Sequence, residues 1–165
     1  MIKKIPNSKF KIINFGFTLI ELLVVISIIG ILASLLLARF SSAEKSGRDT
    51  RRKSDLNQYR TALENYAVKT NGLYPSYTGT IDASVSLCSA LGATYIASCP
   101  QDPRQDGSTY YYRYLSNGAG SPNINATQYI LWAKMERETN LYWYVCANGK
   151  AAEKTAQPAT SDCGF

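Results

Sequence analysis

Residues 17–38, FTLIELLVVISIIGILASLLLA, form an apolar run of 22 residues holding one ionisable side chain, Glu21. As a helix the run reaches about 33 Å, close to the hydrocarbon thickness of a bilayer. A core helix of a soluble protein is seldom apolar on every side, so the run predicts a membrane-inserted helix. Glu21 is the anomaly within it. An isolated carboxylate in hydrocarbon is costly enough that such a residue faces a partner or a protected cavity.

The chain changes character sharply on either side. Residues 1–16 are basic and mixed, 39–70 are highly charged, and from Asn71 onward Gly, Ser, Thr and Tyr dominate and all four cysteines occur. Lys3, Lys4, Lys9 and Lys11 lie in the first 16 residues; without them the formal charge falls from +6 to +2. That balance does not indicate nucleic-acid binding. The leader differs from an ordinary secretory signal, whose apolar region precedes the cleavage site. Cutting between Gly16 and Phe17 would leave the apolar run on the mature protein, and the plain alternative is an uncleaved signal anchor. Flanking charge does not settle orientation. Arg39, Lys45, Arg48, Arg51, Arg52 and Lys53 follow the span, so a count of Lys and Arg opposes export of the C-terminal part. The cysteines suit an oxidising compartment and argue for export.

Beyond the span, Leu56, Tyr59, Leu63 and Tyr66 recur at three- and four-residue intervals and mark the buried face of an amphipathic helix. Glu44 with Arg48, Asp49 with Lys53, Arg51 with Asp55 and Arg60 with Glu64 have the i, i+4 spacing that supports an exposed helix. Asn71-Gly72 with Pro75 beyond predicts its end. No proline interrupts residues 17–71, and one long helix results, apolar first and amphipathic second.

The stretch GFTLIELLVVISIIGILA behind a short basic leader resembles the type IV prepilins and type II secretion pseudopilins. The resemblance is close over residues 1 to about 40, extends by layout to Asn71, and beyond that rests on organisation alone. It implies that a membrane prepilin peptidase cuts between Gly16 and Phe17 and methylates the new Phe17 amine. It also implies that the Glu21 carboxylate meets the Phe17 amine of a neighbouring subunit. Such a pair offsets much of the desolvation cost and selects register between subunits. Gly30, Ala33 and Ser34 permit close helix approach. The chain carries Ala38 where a proline is frequent in the family, so no melted helical segment is inferred.

The remainder reads as a β-rich head. TYYYRYLS, QYILWAKM and LYWYVCA, around residues 109–116, 128–135 and 141–147, predict strands; residues 116–122 and 137–140 predict turns. The fold class is therefore α+β, pilin-like by resemblance: a long N-terminal helix, membrane-spanning in its first half, packed against a small antiparallel sheet through Leu56, Tyr59, Leu63 and Tyr66. The division is 1–16 leader, 17–38 membrane or filament-core half, 39–71 amphipathic half and 72–165 exported head. Abundant Tyr and Trp suit packing within the sheet better than a sugar-binding surface. Four cysteines allow three pairings; Cys88 with Cys99 and Cys146 with Cys163 is the local choice, the second pinning the tail to the last strand. Wide spacing does not suggest zinc. Asp102 and Asp106 in CPQDPRQDG are weak calcium candidates, with a polar turn the plainer account. No histidine and no nucleophile with an evident base point to catalysis, and no cofactor is expected.

These features describe a filament-forming subunit. It is held in the cytoplasmic membrane before assembly, then extracted by an assembly platform and motor into a homopolymer at the cell surface. The alternatives are a type II secretion pseudopilin, a minor tip pilin and an uncleaved membrane-anchored binding protein.

Overall fold

A computed structural model describes residues 16–165; the leader lysines lie outside the described residues. Helix α1 runs Leu19–Lys69. The chain divides into two units, Met1–Phe40 and Ser41–Phe165, and α1 contributes to both.

In the first unit, residues 16–18 are non-helical and α1 begins at Leu19. The most apolar 18-residue window of α1 has a mean hydropathy of 2.8 and none of it is buried. Leu19, Ile20, Leu22, Leu23, Ile28, Ile31 and Leu36 are all more than half exposed. A helix this apolar on every side needs a non-aqueous environment or partner chains to cover it.

The second unit is α+β. The remaining turns of α1 stop at Lys69; Asn71 and Gly72 follow in left-handed conformation (φ 56° and 81°), and the Gly72 N–H closes the helix on the Ala67 carbonyl. Five strands form an antiparallel sheet in the order β2 (Ile81–Asp82), β3 (Arg113–Ser116), β5 (Tyr129–Lys134), β6 (Tyr142–Cys146), β7 (Ala151–Lys154). A second ribbon pairs β1 (Tyr74–Ser76) with β4 (Asn123–Ala126). A π-helical turn Ala83–Leu87 leads into α2 (Cys88–Tyr95), and a 3-10 turn Thr160–Asp162 ends the chain. The expected strand over 109–116 starts only at Arg113. Asp106 Oδ1 gathers the N–H groups of Ser108, Thr109 and Tyr110 at 2.7–3.0 Å, which withdraws that backbone from ladder pairing.

Strand alternation puts the two faces of the sheet to different uses. Tyr114, Tyr129, Leu131, Ala133 and Val145 join Leu56, Tyr59, Leu63 and Tyr66 of α1 in one core. Ile130, Trp132, Tyr144 and Cys146 form a second core with Cys163, and Phe165 packs against it. The C-terminal tail thus covers the face opposite the helix, and β5 is buried on both sides. Eight of the twelve tyrosines are buried, which accounts for the aromatic richness by packing.

Candidate functional site

In the first unit Gly16 lies in non-helical chain with nothing within 4 Å of where its side chain would be, and Phe17 is 81% exposed. A bond in non-helical, open chain is accessible to a peptidase. Thr18 and Glu21 make a capping box. Glu21 Oε2 accepts from the Thr18 amide at 2.9 Å and from the Thr18 hydroxyl at 2.7 Å, while the Glu21 amide donates to Thr18 Oγ1 at 3.3 Å. The sequence contained that signal as T-L-I-E at the head of the apolar run, and the expectation that Glu21 needs a partner overlooked Thr18. Both side-chain bonds fall on one oxygen, and a carboxylate has lone pairs for further donors. Phe17, Ile20, Glu21, Val24 and Val25 line a shallow apolar groove around the carboxylate.

In the second unit Leu56, Tyr59 and Leu63 are fully buried and Tyr66 is 8% exposed. The helix meets the sheet through phenol–carboxylate bonds as well as apolar contact. Tyr112 donates to Asp55 at 2.6 Å, Tyr74 and Tyr129 donate to Glu64 at 3.0 and 3.1 Å, and Tyr59 donates to the Pro100 carbonyl. Burial first, then Glu64, pushes Tyr74 up to about 12; these phenols stay protonated donors at any ordinary pH.

Sequence reasoning missed the electrostatic centre, Arg52. Its guanidinium is fully buried and meets three carboxylates. Asp102 is held in a fork at 2.6 and 2.7 Å, Asp49 at 2.8 Å and Glu136 at 2.7 Å. Arg48 makes a second fork to Glu136 at 2.7–2.8 Å. Asp49 also accepts the Glu136 and Arg137 amides. Hydrogen bonds from Arg48, with Arg52 behind them, hold the Glu136 carboxyl down at about 2. The helical spacing could have revealed Arg52, since it lies four residues before Leu56 and seven before Tyr59, on the buried face.

This network revises the local pairing. Glu44–Arg48 and Arg51–Asp55 form at 3.1 and 3.8 Å. Asp49 instead turns to Arg52, Lys53 reaches Glu153 at 2.7 Å, and Glu64 is taken by tyrosines. Of the six basic residues after the span, Arg48, Arg52 and Lys53 are matched by acids 84 or more positions along the chain, Glu136 and Glu153.

Cys88 pairs with Cys99 and Cys146 with Cys163. Cys146 lies on β6 rather than on the last strand, because β7 follows it. Both calcium candidates face donors: Asp102 is occupied by Arg52 and the Arg104 amide, Asp106 by three backbone amides. Among the described residues no group of His, Cys, Asp and Glu is placed to hold a metal ion; the carboxylates that converge do so on a guanidinium.

Residues 14–37 match the family described as the prokaryotic N-terminal methylation motif. The type II secretion system core protein G of Aeromonas hydrophila is 35% identical over 95 residues, covering 53% of this chain and 66% of that protein. Core protein G of Pseudomonas aeruginosa is 32% identical over 114 residues, covering 65% of this chain and 77% of that protein. The major component of the type IV wide pilus of Thermus thermophilus is 43% identical over 72 residues, covering 44% of this chain and 52% of that protein. No solved structure matches.

Proposed function

Because the chain belongs to the type IV pilin and type II secretion pseudopilin family, we propose that it is a structural subunit that polymerises, after leader removal, into a helical filament of the type II secretion kind. One observation carries the reading. The chain joins a head whose buried ionic centre at Arg52 is matched internally to an apolar segment left wholly uncovered, with Glu21 near its start. In a membrane, lipid covers that segment; in a filament, equivalent segments of other copies do.

Glu21 is the group that separates the two states. Thr18 stabilises it within one chain. The Phe17 amine freed by cleavage between Gly16 and Phe17, on a neighbouring copy, supplies the charge that neither lipid nor Thr18 can. Peptidase, assembly platform and motor are the partners this cycle requires, and extension is driven by them rather than by chemistry in this chain.

Glu21→Gln should leave insertion and leader removal intact and abolish assembly; filaments at normal yield from a processed E21Q chain would overturn the role given to Glu21. Gly16→Leu should accumulate full-length precursor. A second reading, a surface type IV pilus, is favoured by the 43% identity to the wide-pilus component. Shearing cells and identifying the N-terminal peptide by mass spectrometry separates the two. Methylated Phe17 in abundant sheared filaments marks a surface pilus, and methylated Phe17 confined to the envelope marks a secretion pseudopilus. Retention of Met1 in the envelope protein would favour an uncleaved anchor and defeat both.

A further inference from the structure

From Arg48 onward, α1 is tied to the rest of the second unit at every turn. Arg48 reaches Glu136, Asp49 accepts the Glu136 and Arg137 amides, and Arg52 holds Asp102. Lys53 meets Glu153, and Leu56, Tyr59, Leu63 and Tyr66 enter the core. The boundary between the two units falls earlier, after Phe40. Between boundary and first tie lie residues 41–47, SSAEKSG. All seven are exposed. Among the described residues their side chains make a single bond, Glu44 to Arg48 at 3.1 Å.

The same stretch is weak as a helix. Three serines and a glycine fall within it, and serine–glycine pairs such as Ser46-Gly47 are recurrent sites of helix bending. Gly47 has nothing within 4 Å of where a side chain would lie, so close packing does not account for the glycine. Just beyond, Thr50 Oγ1 donates to the Ser46 carbonyl at 2.9 Å. There it competes with the Thr50 amide for one acceptor, an arrangement that weakens and bends helices.

Surroundings decide where such a helix can open. Opening a turn frees N–H and C=O groups, which water can satisfy and hydrocarbon cannot. In the apolar half that cost is prohibitive, and from Arg48 on opening would also break the ties to the sheet and loops. Residues 41–47 would lose only helical bonds and one surface ion pair of small worth. We propose that residues 41–47 are a hinge within α1. It opens locally and reversibly, so that the apolar half can change direction as its cover changes from lipid to other copies of the chain. The use of the hinge rests on the filament reading; its existence does not.

Hydrogen exchange of the full chain in detergent reads the hinge directly. Amides of 42–47 should exchange at least about tenfold faster than those of 52–66. Ser41→Ala, Ser42→Ala, Ser46→Ala and Gly47→Ala combined should slow that exchange by roughly fiftyfold, the summed gain in helix propensity. The combined variant should be inserted and processed normally and keep the wild-type head midpoint. In cells treated with a lysine-reactive crosslinker, it should lose most of its multimers. Adding Ala43→Gly should restore part of both exchange and assembly, which a lost contact of the serines would not do. Exchange over 41–47 as slow as over 52–66 in wild type would show that there is no hinge. Slowed exchange with wild-type assembly would overturn its use, and lost assembly without slowed exchange or rescue would assign the serines to a contact instead. Fast exchange in a wild-type chain that gives no multimers would defeat the filament reading and leave the hinge itself standing.

Discussion

Two carboxylate environments separate the halves of this molecule. Around Arg52, three acids from α1 and two loops surround one buried cation, and every group belongs to the same chain. Around Glu21, the partner is a threonine three residues away on an exposed, apolar helix. The first arrangement is finished when the head folds. The second satisfies a helix terminus but not the need of a carboxylate for a countercharge, and leaves an apolar surface bare. On the proposed function, head stability and assembly rest on different charges, and each should be open to disturbance without the other.

The largest expected effect is at Arg52. Arg52→Met keeps comparable packing volume but takes the paired guanidinium from Asp49 and Asp102 and leaves Glu136 to Arg48 and Arg104, with all three acid side chains at most 10% exposed. Breaking a buried ion network by removing one partner costs roughly 3–5 kcal/mol, and guanidinium unfolding of the full chain in detergent should show that loss. Retention of wild-type stability would mean that the network is not closed within the chain. Next comes the tail. Replacing Cys146 and Cys163, 17 positions apart, by serine should cost about 3 kcal/mol through the unfolded state. It should also red-shift Trp132 fluorescence as the tail leaves the second face of the sheet.

Acid should act on the same centre. The Glu136 carboxyl is held at about 2 against an ordinary 4.5. A depressed folded-state value means its contribution is complete above about pH 4.5 and is lost as pH falls toward 2. That contribution is about 3 kcal/mol if each unit is worth 1.36. Glu136→Gln should be less stable than wild type at neutral pH and flatter between pH 4.5 and 2; parallel acid limbs for the two proteins would refute the assignment.

What could be read from the sequence follows a physical division. The apolar run and the T-L-I-E start are local patterns. So is the spacing of Leu56, Tyr59, Leu63 and Tyr66, which lies where the sheet packs. β5 and β6 are dense in β-branched and aromatic residues and fall within the predicted 128–135 and 141–147. β1 contains Pro75, β4 reads Asn-Ile-Asn-Ala and β7 reads Ala-Ala-Glu-Lys; each is held by its neighbour rather than by its own propensity, so none announced itself. Lys53 illustrates the same limit for charge. Its i, i+4 partner Asp49 was four residues away, yet Glu153 binds it, because Asp49 is drawn into the better-dehydrated site of Arg52. Local rules propose partners and the tertiary fold reassigns them.

The smallest expected effect tests the division from the other side. Thr18→Val removes the hydroxyl that donates to Glu21 and accepts from its amide, while the Thr18 amide bond to the carboxylate remains available. Loss of a cap of this type costs about 1 kcal/mol of local helix stability, and faster amide exchange over the first turn of α1 should report it. The guanidinium midpoint of the head should not move, because Thr18 belongs to neither core. A carboxylate freed from Thr18 is also a better acceptor for the amine of a neighbouring subunit, so T18V should assemble at least as well as wild type. Weaker assembly would instead make Thr18 the residue that aims Glu21 at its partner, and a shifted head midpoint would show that the two halves are energetically coupled after all.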